Sequence, residues 1–275
     1  MLPGMFPMMM VAPSLWFDII GSVNLQGSLQ VCLDAGDSMS YDGTSQTWKD
    51  RSGHGNDYFR GLTNASSSDD PTFNGIAGRQ SIQEFFGFDG GDGFCQTTTQ
   101  SYTNNWHKAG QQFSCAAWLY VPAGQAHNVI VLGNGGNGTG AGFSCGISQL
   151  SSGGRPYVGI SNASGPQFFS GNTTGVVSEN VWQFYGWSWH ESSYVSFVTV
   201  NGTSYPLLSD TVTSPNAASP PIGNGVGAGM NTGTTFSALK INNGGKMRAI
   251  GAFSSMLSQT QMGQLFAASR DLYGV

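Results

Sequence analysis

Apolar side chains recur at every second position in short runs along most of this chain, and Gly, Ser, Asn and Asp fill the gaps between runs. A period of two marks strands that bury one face. The pattern predicts strands over 29–33, 81–88, 113–121, 128–132, 142–148, 157–161 and 167–170. A long aromatic strand follows over 182–190, carrying Trp182, Phe184, Tyr185, Trp187 and Trp189. The run over 195–200 ends at Asn201-Gly202, and Thr203-Ser204-Tyr205 comes after it. Asn-Gly supplies the positive φ angles of a type I′ turn, so a hairpin is predicted there. Residues 209–235 read as a long surface loop, and 246–253 as the last strand. Helical spacing is confined to the C-terminus. Ser258 and Gln261 have the spacing of a capping box, and Met262, Leu265, Phe266 and Ser269 follow on one face, which predicts a helix over 259–269. The expected fold class is all-β, a two-sheet antiparallel β-sandwich with a short C-terminal helix.

Residues 1–28 break this pattern and read as an extended N-terminal arm, leaving 29–275 as the sandwich domain. The arm is rich in Met and interrupted by Pro3, Pro7 and Pro13. A membrane span needs about 20 unbroken apolar residues, which the arm lacks. The first basic residue is Lys49, so the positive n-region of a secretory signal is missing, and no cleaved signal peptide is expected. The apolar side chains Met5, Phe6, Met8, Met9, Met10, Leu15, Trp16 and Phe17 need cover. Methionine-rich surfaces adapt to partners, so these residues are the expected partner-binding set.

Composition narrows the surroundings. Charged residues make up 9% of the chain, against roughly 25% in an average soluble protein, and 41 of 275 residues are glycine. The net charge is −5 and the basic residues are scattered. A nucleic-acid partner needs a basic stripe, so it is set aside. The cysteines at 32, 95, 115 and 145 form no C-x-x-C pair. Cys115 and Cys145 alternate in phase with apolar neighbours and are expected in the core, whereas Cys32 falls out of phase and is the candidate for exposure.

Several segments, in order, resemble the LamG-like, concanavalin A-like jelly roll of lectins and glucanases. Leu33-Asp34-Ala35-Gly36-Asp37 and then Trp48-Lys49-Asp50-Arg51-Ser52-Gly53-His54-Gly55-Asn56 resemble the opening strand and its W-x-D-x-S-G-x-x-N turn. Phe88-Asp89-Gly90-Gly91-Asp92 is similar to the F-D-G-x-D strand end. The strand at 113–121, the tryptophan strand with Val200-Asn201-Gly202, and Ile250-Gly251-Ala252-Phe253 followed by Leu257-Ser258 complete the series. The resemblance covers residues 29–275. It implies a jelly roll and a lectin-like body.

Candidate chemistry is sparse. The family's glucanases use E-x-D-x-x-E, and glycoside hydrolysis needs two carboxyl groups across the scissile bond. Glu84, Glu179 and Glu191 are the three glutamates and no two are near each other in sequence, so the expectation is no enzyme. Asp34, Asp37, Asp50, Asp57, Asp89 and Asp92 gather around the opening motifs. Calcium needs six to eight oxygens, and the sequence leaves open whether an ion binds near Asp34, Asp50 or Asp92. Aspartates in turns most often accept from backbone N–H groups, so the reading is no metal and no cofactor. His54, His107, His127 and His190 are isolated. Trp106-His107 and Trp187-Ser188-Trp189-His190 are possible sugar-stacking faces, although aromatics at strand spacing more often form core.

The unsignalled arm, the charge-poor surface and the lectin-like body together suggest a virion structural protein like those of tailed bacteriophages. The expectation is a homo-oligomer assembled in the host cytoplasm, anchored through the arm to capsid or tail subunits, with host surface glycans as further partners. A cellular or secreted carbohydrate-binding lectin is the alternative.

Overall fold

The computed structural model describes residues 15–275, apart from 97, 99, 126–127, 136–140, 149, 151–152, 163, 172–173, 221–222 and 231–234. Two large antiparallel sheets face each other. The strands are β1 (Leu29–Asp34), β2 (Thr47–Trp48), β3 (Tyr58–Arg60), β4 (Thr72–Asn74), β5 (Phe85–Gly87), β6 (Phe94–Cys95), β7 (Gln112–Tyr120), β8 (Val129–Gly133) and β9 (Phe143–Ile147). They continue with β10 (Pro156–Asn162), β11 (Gly165–Ser170), β12 (Trp182–His190), β13 (Phe197–Val200), β14 (Thr203–Pro206), β15 (Gly225–Val226), β16 (Ala228–Met230), β17 (Phe236–Lys240) and β18 (Lys246–Phe253). The first sheet runs β14-β13-β12-β7-β18-β5-β4, with β1 also paired to β18. The second runs β11-β10-β9-β8-β15-β6-β3-β2, and β16-β17 form a separate pair.

Alternation decides what lies between the sheets. Phe113, Cys115, Ala117 and Leu119 of β7 point inward with Tyr185, Trp187 and Trp189 of β12. They meet Phe143, Cys145 and Ile147 of β9 and Val158 and Ile160 of β10. The tryptophan pair at 187 and 189 is fully buried. It is core, not a sugar-stacking face, and Trp106 and His107 are buried as well.

The opposite face of the first sheet is also apolar, and two helices cover it. Helix α1 (Trp16–Ser22) brings Trp16, Ile19 and Ile20, and helix α2 (Gln259–Tyr273) brings Met262, Leu265 and Tyr273. They pack on Ala116, Trp118, Phe184, Ala249 and Phe253. Trp118 stacks on Tyr273 at 3.7 Å between ring centroids and donates its indole N–H to Ser269 Oγ at 2.9 Å. The absence of a side chain at Gly186 lets Met262 seat, since a Cβ there would lie 2.9 Å from its sulfur.

This second core changes two expectations. Cys32 points outward from β1, as its phase indicates, yet it is fully buried beneath the helices, so the exposure expected of it is corrected. Burial pushes its thiol well above the ordinary value. The arm is the other. Trp16 is 2% exposed and its ring packs near Phe184, so it fills the chain's own core and is removed from a partner surface. Leu15 and Phe17 are half-buried, whereas Met5, Phe6, Met8, Met9 and Met10 lie outside the described residues.

Local signals explain the remaining boundaries. Ser258 Oγ accepts from Gln261 N–H and Gln261 Oε1 accepts from Ser258 N–H, so the capping box forms. The helix runs one turn further than its periodicity predicts, because Tyr273 reaches the Trp118 and Trp182 rings before Gly274 ends it at φ 70°. Asn201 and Gly202 adopt φ 46° and 78° and join β13 to β14 in the predicted hairpin. The segment read as one long loop over 209–235 contains β15 and β16. Both are too short for an alternation signal.

Asp34 ties α1 to the sandwich. Its Oδ2 accepts from Trp16 N–H at 3.0 Å and its Oδ1 from Gly36 N–H at 2.8 Å. The Arg248 guanidinium, itself buried, lies 3.4 Å from Oδ1 and donates to Ser81 O.

Candidate functional site

The same outer face of the first sheet stays open at one corner, beyond the helices. Phe85 and Gly87 of β5 face outward there, because Phe86 and Phe88 between and after them belong to the inter-sheet core. Strand β4 pairs beside them, with Thr72 opposite Gly87 and Asn74 opposite Phe85. On the other side Lys246 of β18 is opposite Gly87 and also opposite Tyr120 of β7, which in turn is opposite Trp182 of β12. One row across the sheet therefore reads Thr72, Gly87, Lys246, Tyr120, Trp182.

Gly87 has no side chain in the middle of that row, and the result is a groove of about 250 Å³. Thr72 and Asn74 form one wall, Lys246 the other, and Asp89 with the turn at Asn243 closes the end. The turn is fixed by backbone pairing, Phe88 N–H to Gly245 O and Gly244 N–H to Phe88 O, both 2.9 Å. Gly244 has φ 89°, which a side chain would resist. Beyond Lys246 stands an aromatic wall. Its ammonium lies 4.3 Å from the Tyr120 ring centroid and 4.8 Å from that of Phe85, and Trp182 packs edge-on against both rings at 6.0 Å.

A carboxyl pair shapes the groove's end. Asp92 is 2% exposed, and its Oδ2 accepts from Asp89 N–H at 2.9 Å. Asp89 Oδ1 accepts from Gly91 N–H at 2.6 Å. Burial, then the neighbouring Asp89 carboxyl, pushes the Asp92 carboxyl up to about 7. The Asp92 side chain, then the Gly91 N–H, holds the Asp89 carboxyl below its usual value. Asp89 itself is exposed at the groove's end.

The other sequence candidates are dispersed. Asp50 accepts from Cys32, Ser52 and Asn56 N–H groups and Asp57 from Asp50 N–H, so these aspartates close the opening turn. Asp37 accepts from Met39 N–H and pairs with Arg51 at 2.7 Å. No cluster of three or more metal-ligating side chains occurs among the described residues. Glu84 and Glu191 are buried and accept backbone N–H groups, and Glu179 is exposed. His107 is buried with Nε2 on Ala218 O at 2.8 Å, His54 is exposed, and His127 lies outside the described residues. The groove residues other than Asp89 carry no motif. Only the Phe88-Asp89-Gly90 strand end pointed toward this corner, and its aspartate reads equally as a turn residue.

No family model and no curated protein sequence matches this chain. Solved structures do match in fold. Trypanosoma rangeli sialidase in complex with sialic acid superposes with a TM-score of 0.54 at 14% identity, over 90% of this chain and 34% of the sialidase. A structure described as HCR/D-Sa-GBL1/C gives a TM-score of 0.56 at 15% identity, over 89% of this chain and 52% of the other. A third structure is described by botulinum neurotoxin type C cell entry being dependent on two ganglioside molecules. It gives 0.52 at 16% identity, over 90% and 53%. The chain spans about a third to a half of these proteins. At such identity the likeness is one of fold: a lectin-like β-sandwich.

One expectation is corrected here. Separated glutamates led to the exclusion of catalysis, but sialidases are among the structures that share this fold. Missing one glucanase motif therefore does not remove the chain from the enzymes.

Proposed function

We propose that this protein binds glycans, with the sugar lying in the groove between Thr72 and Lys246. The observation that carries this reading is the groove itself. Hydroxyl, amide and carboxylate groups converge on one shallow site beside a wall of Phe85, Tyr120 and Trp182. A sugar presents hydroxyls at its edge, which the polar lining answers, while the rings beyond hold Lys246 at the groove's wall. Complexes with sialic acid and a dependence on gangliosides, recorded for proteins of similar fold, support the reading. Substituting Gly87 tests it. A Cβ there would meet only Asn74 Nδ2 at 3.3 Å, Thr72 O at 3.7 Å and Phe85 at 4.0 Å, so Gly87→Val fills the groove without entering the core. On a glycan array the wild type binds and Gly87→Val does not, with an unchanged far-UV spectrum. Equal binding by both would place the sugar elsewhere.

The charge-poor, glycine-rich surface favours a finer reading, in which the sandwich is displayed on a virus particle and held there through residues 1–14. Removing 1–14 then leaves the fold intact and abolishes incorporation into purified particles. Incorporation of the shortened chain would refute it.

A further inference from the structure

We infer that the groove selects sugars bearing a carboxylate, such as sialic or uronic acids, and that Lys246 is the residue that reads the acid; this rests on the glycan reading above. Among the described residues the ion pairs are Arg51 with Asp37, Arg248 with Asp34, and Arg270 with Asp271, so no carboxylate pairs with Lys246. Its ammonium is nevertheless held in place, between the Tyr120 and Phe85 rings. Cation–π contact positions the charge at little cost to its ability to donate, since ring faces accept no strong hydrogen bond. A fixed, unneutralised cation on the wall of a polar groove is a receptor for an anion.

Other groups set where the anion can sit. Asp89 is the negative group of the lining, and it stands two residues past Gly87, beyond the end of β5, about 7 Å at roughly 3.3 Å per extended residue. Lys240 lies close enough to lower the Asp89 carboxyl further, after the contributions of Asp92 and Gly91, and so offsets part of its charge. A carboxylate beside Lys246 is therefore separated from Asp89, and a sugar lying along the groove places its hydroxyls toward Asp89 and Asn243. Asp89 accepts hydroxyl donors and repels a second acid. The preferred ligand then has one carboxylate with hydroxyls along the other edge of the ring.

The test uses the full chain and immobilised sugars in matched pairs: N-acetylneuraminic acid against its methyl ester, and glucuronic acid against glucose. The acids are expected to bind about tenfold or more tightly than their neutral partners, the scale of one charge-assisted hydrogen bond. That preference should shrink as salt is raised from about 0.05 to 0.5 M. Lys246→Met, which keeps the apolar stem against the rings, removes the preference, and Lys246→Arg retains it. Were Lys246→Met to unfold, the acid-to-ester ratio and its salt dependence in the wild type would still decide. Acid and ester binding equally would overturn the selection by charge while leaving glycan binding standing. Wild-type protein that binds none of the four sugars, nor any other on the array, would overturn both.

Discussion

Removing the Asp34 carboxylate should be strongly destabilising, because it orphans a buried cation and two backbone donors at once. Asp34 is 2% exposed and accepts two backbone N–H groups, from Trp16 at 3.0 Å and Gly36 at 2.8 Å, while facing Arg248 at 3.4 Å. Asp34→Ala leaves the Arg248 guanidinium buried with carbonyl partners only, Ser81 O and Glu84 O. Breaking a buried pair by removing one partner costs about 3–5 kcal/mol. Each orphaned N–H adds about 1–3 kcal/mol where water cannot reach it. A total of at least about 5 kcal/mol corresponds to a Tm lowered by roughly 10–20 °C or more, at about 2–4 °C per kcal/mol for a chain approaching this size. Thermal and urea unfolding followed by circular dichroism read this directly. The pair Asp34→Ala with Arg248→Met removes the unpaired charge and should recover about 2 kcal/mol relative to the single variant. The reasoning fails if Asp34→Ala costs under about 1 kcal/mol, or if the double variant is no more stable than the single one.

Two pH dependences follow from buried groups. Burial holds the His107 ring below its ordinary value. As pH falls below about 6.5 the unfolded chain takes up a proton that the buried ring resists, and stability declines by up to about 1.4 kcal/mol per pH unit. His107→Gln, which can still donate to Ala218 O, should flatten the Tm profile between pH 7.5 and 5; an unchanged slope would show that other groups set it. Asp92 has the opposite sign. Its carboxyl is pushed up to about 7, so its stabilisation is full below about pH 4 and is lost as pH rises through 7. Asp92→Asn should be more stable than wild type at pH 8, by at most about 4 kcal/mol because the lowered Asp89 returns part of the difference, with the gap closing toward pH 4. A gap independent of pH in urea unfolding would contradict the raised Asp92 carboxyl.

Strands long enough to alternate were legible in the sequence. The strands at 112–120 and 182–190 show their inward set plainly, and Asn201-Gly202 and Ser258 with Gln261 fix a turn and a helix start by local hydrogen bonding. What escaped has a physical cause in each instance. Strands of two or three residues, such as 58–60, 94–95 and 225–226, cannot show a period. Helix α1 spans seven residues, and its apolar side chains read equally as arm or core, because nothing local says that the first sheet's outer face is apolar too. That second core also explains the buried Cys32. The groove was hidden for a different reason. Thr72, Gly87, Asn243 and Lys246 are brought together by sheet register, and register is a property of pairing between distant segments.

The measurement that tests the account most directly is an amide NMR titration of the full chain with the tightest sugar from the array. Binding in the groove predicts progressive shifts confined to residues 72–74, 85–89, 120 and 243–246, and their absence in Gly87→Val. Shifts that map to the opposite sheet, or that persist in Gly87→Val, would contradict the assignment of the groove as the sugar site.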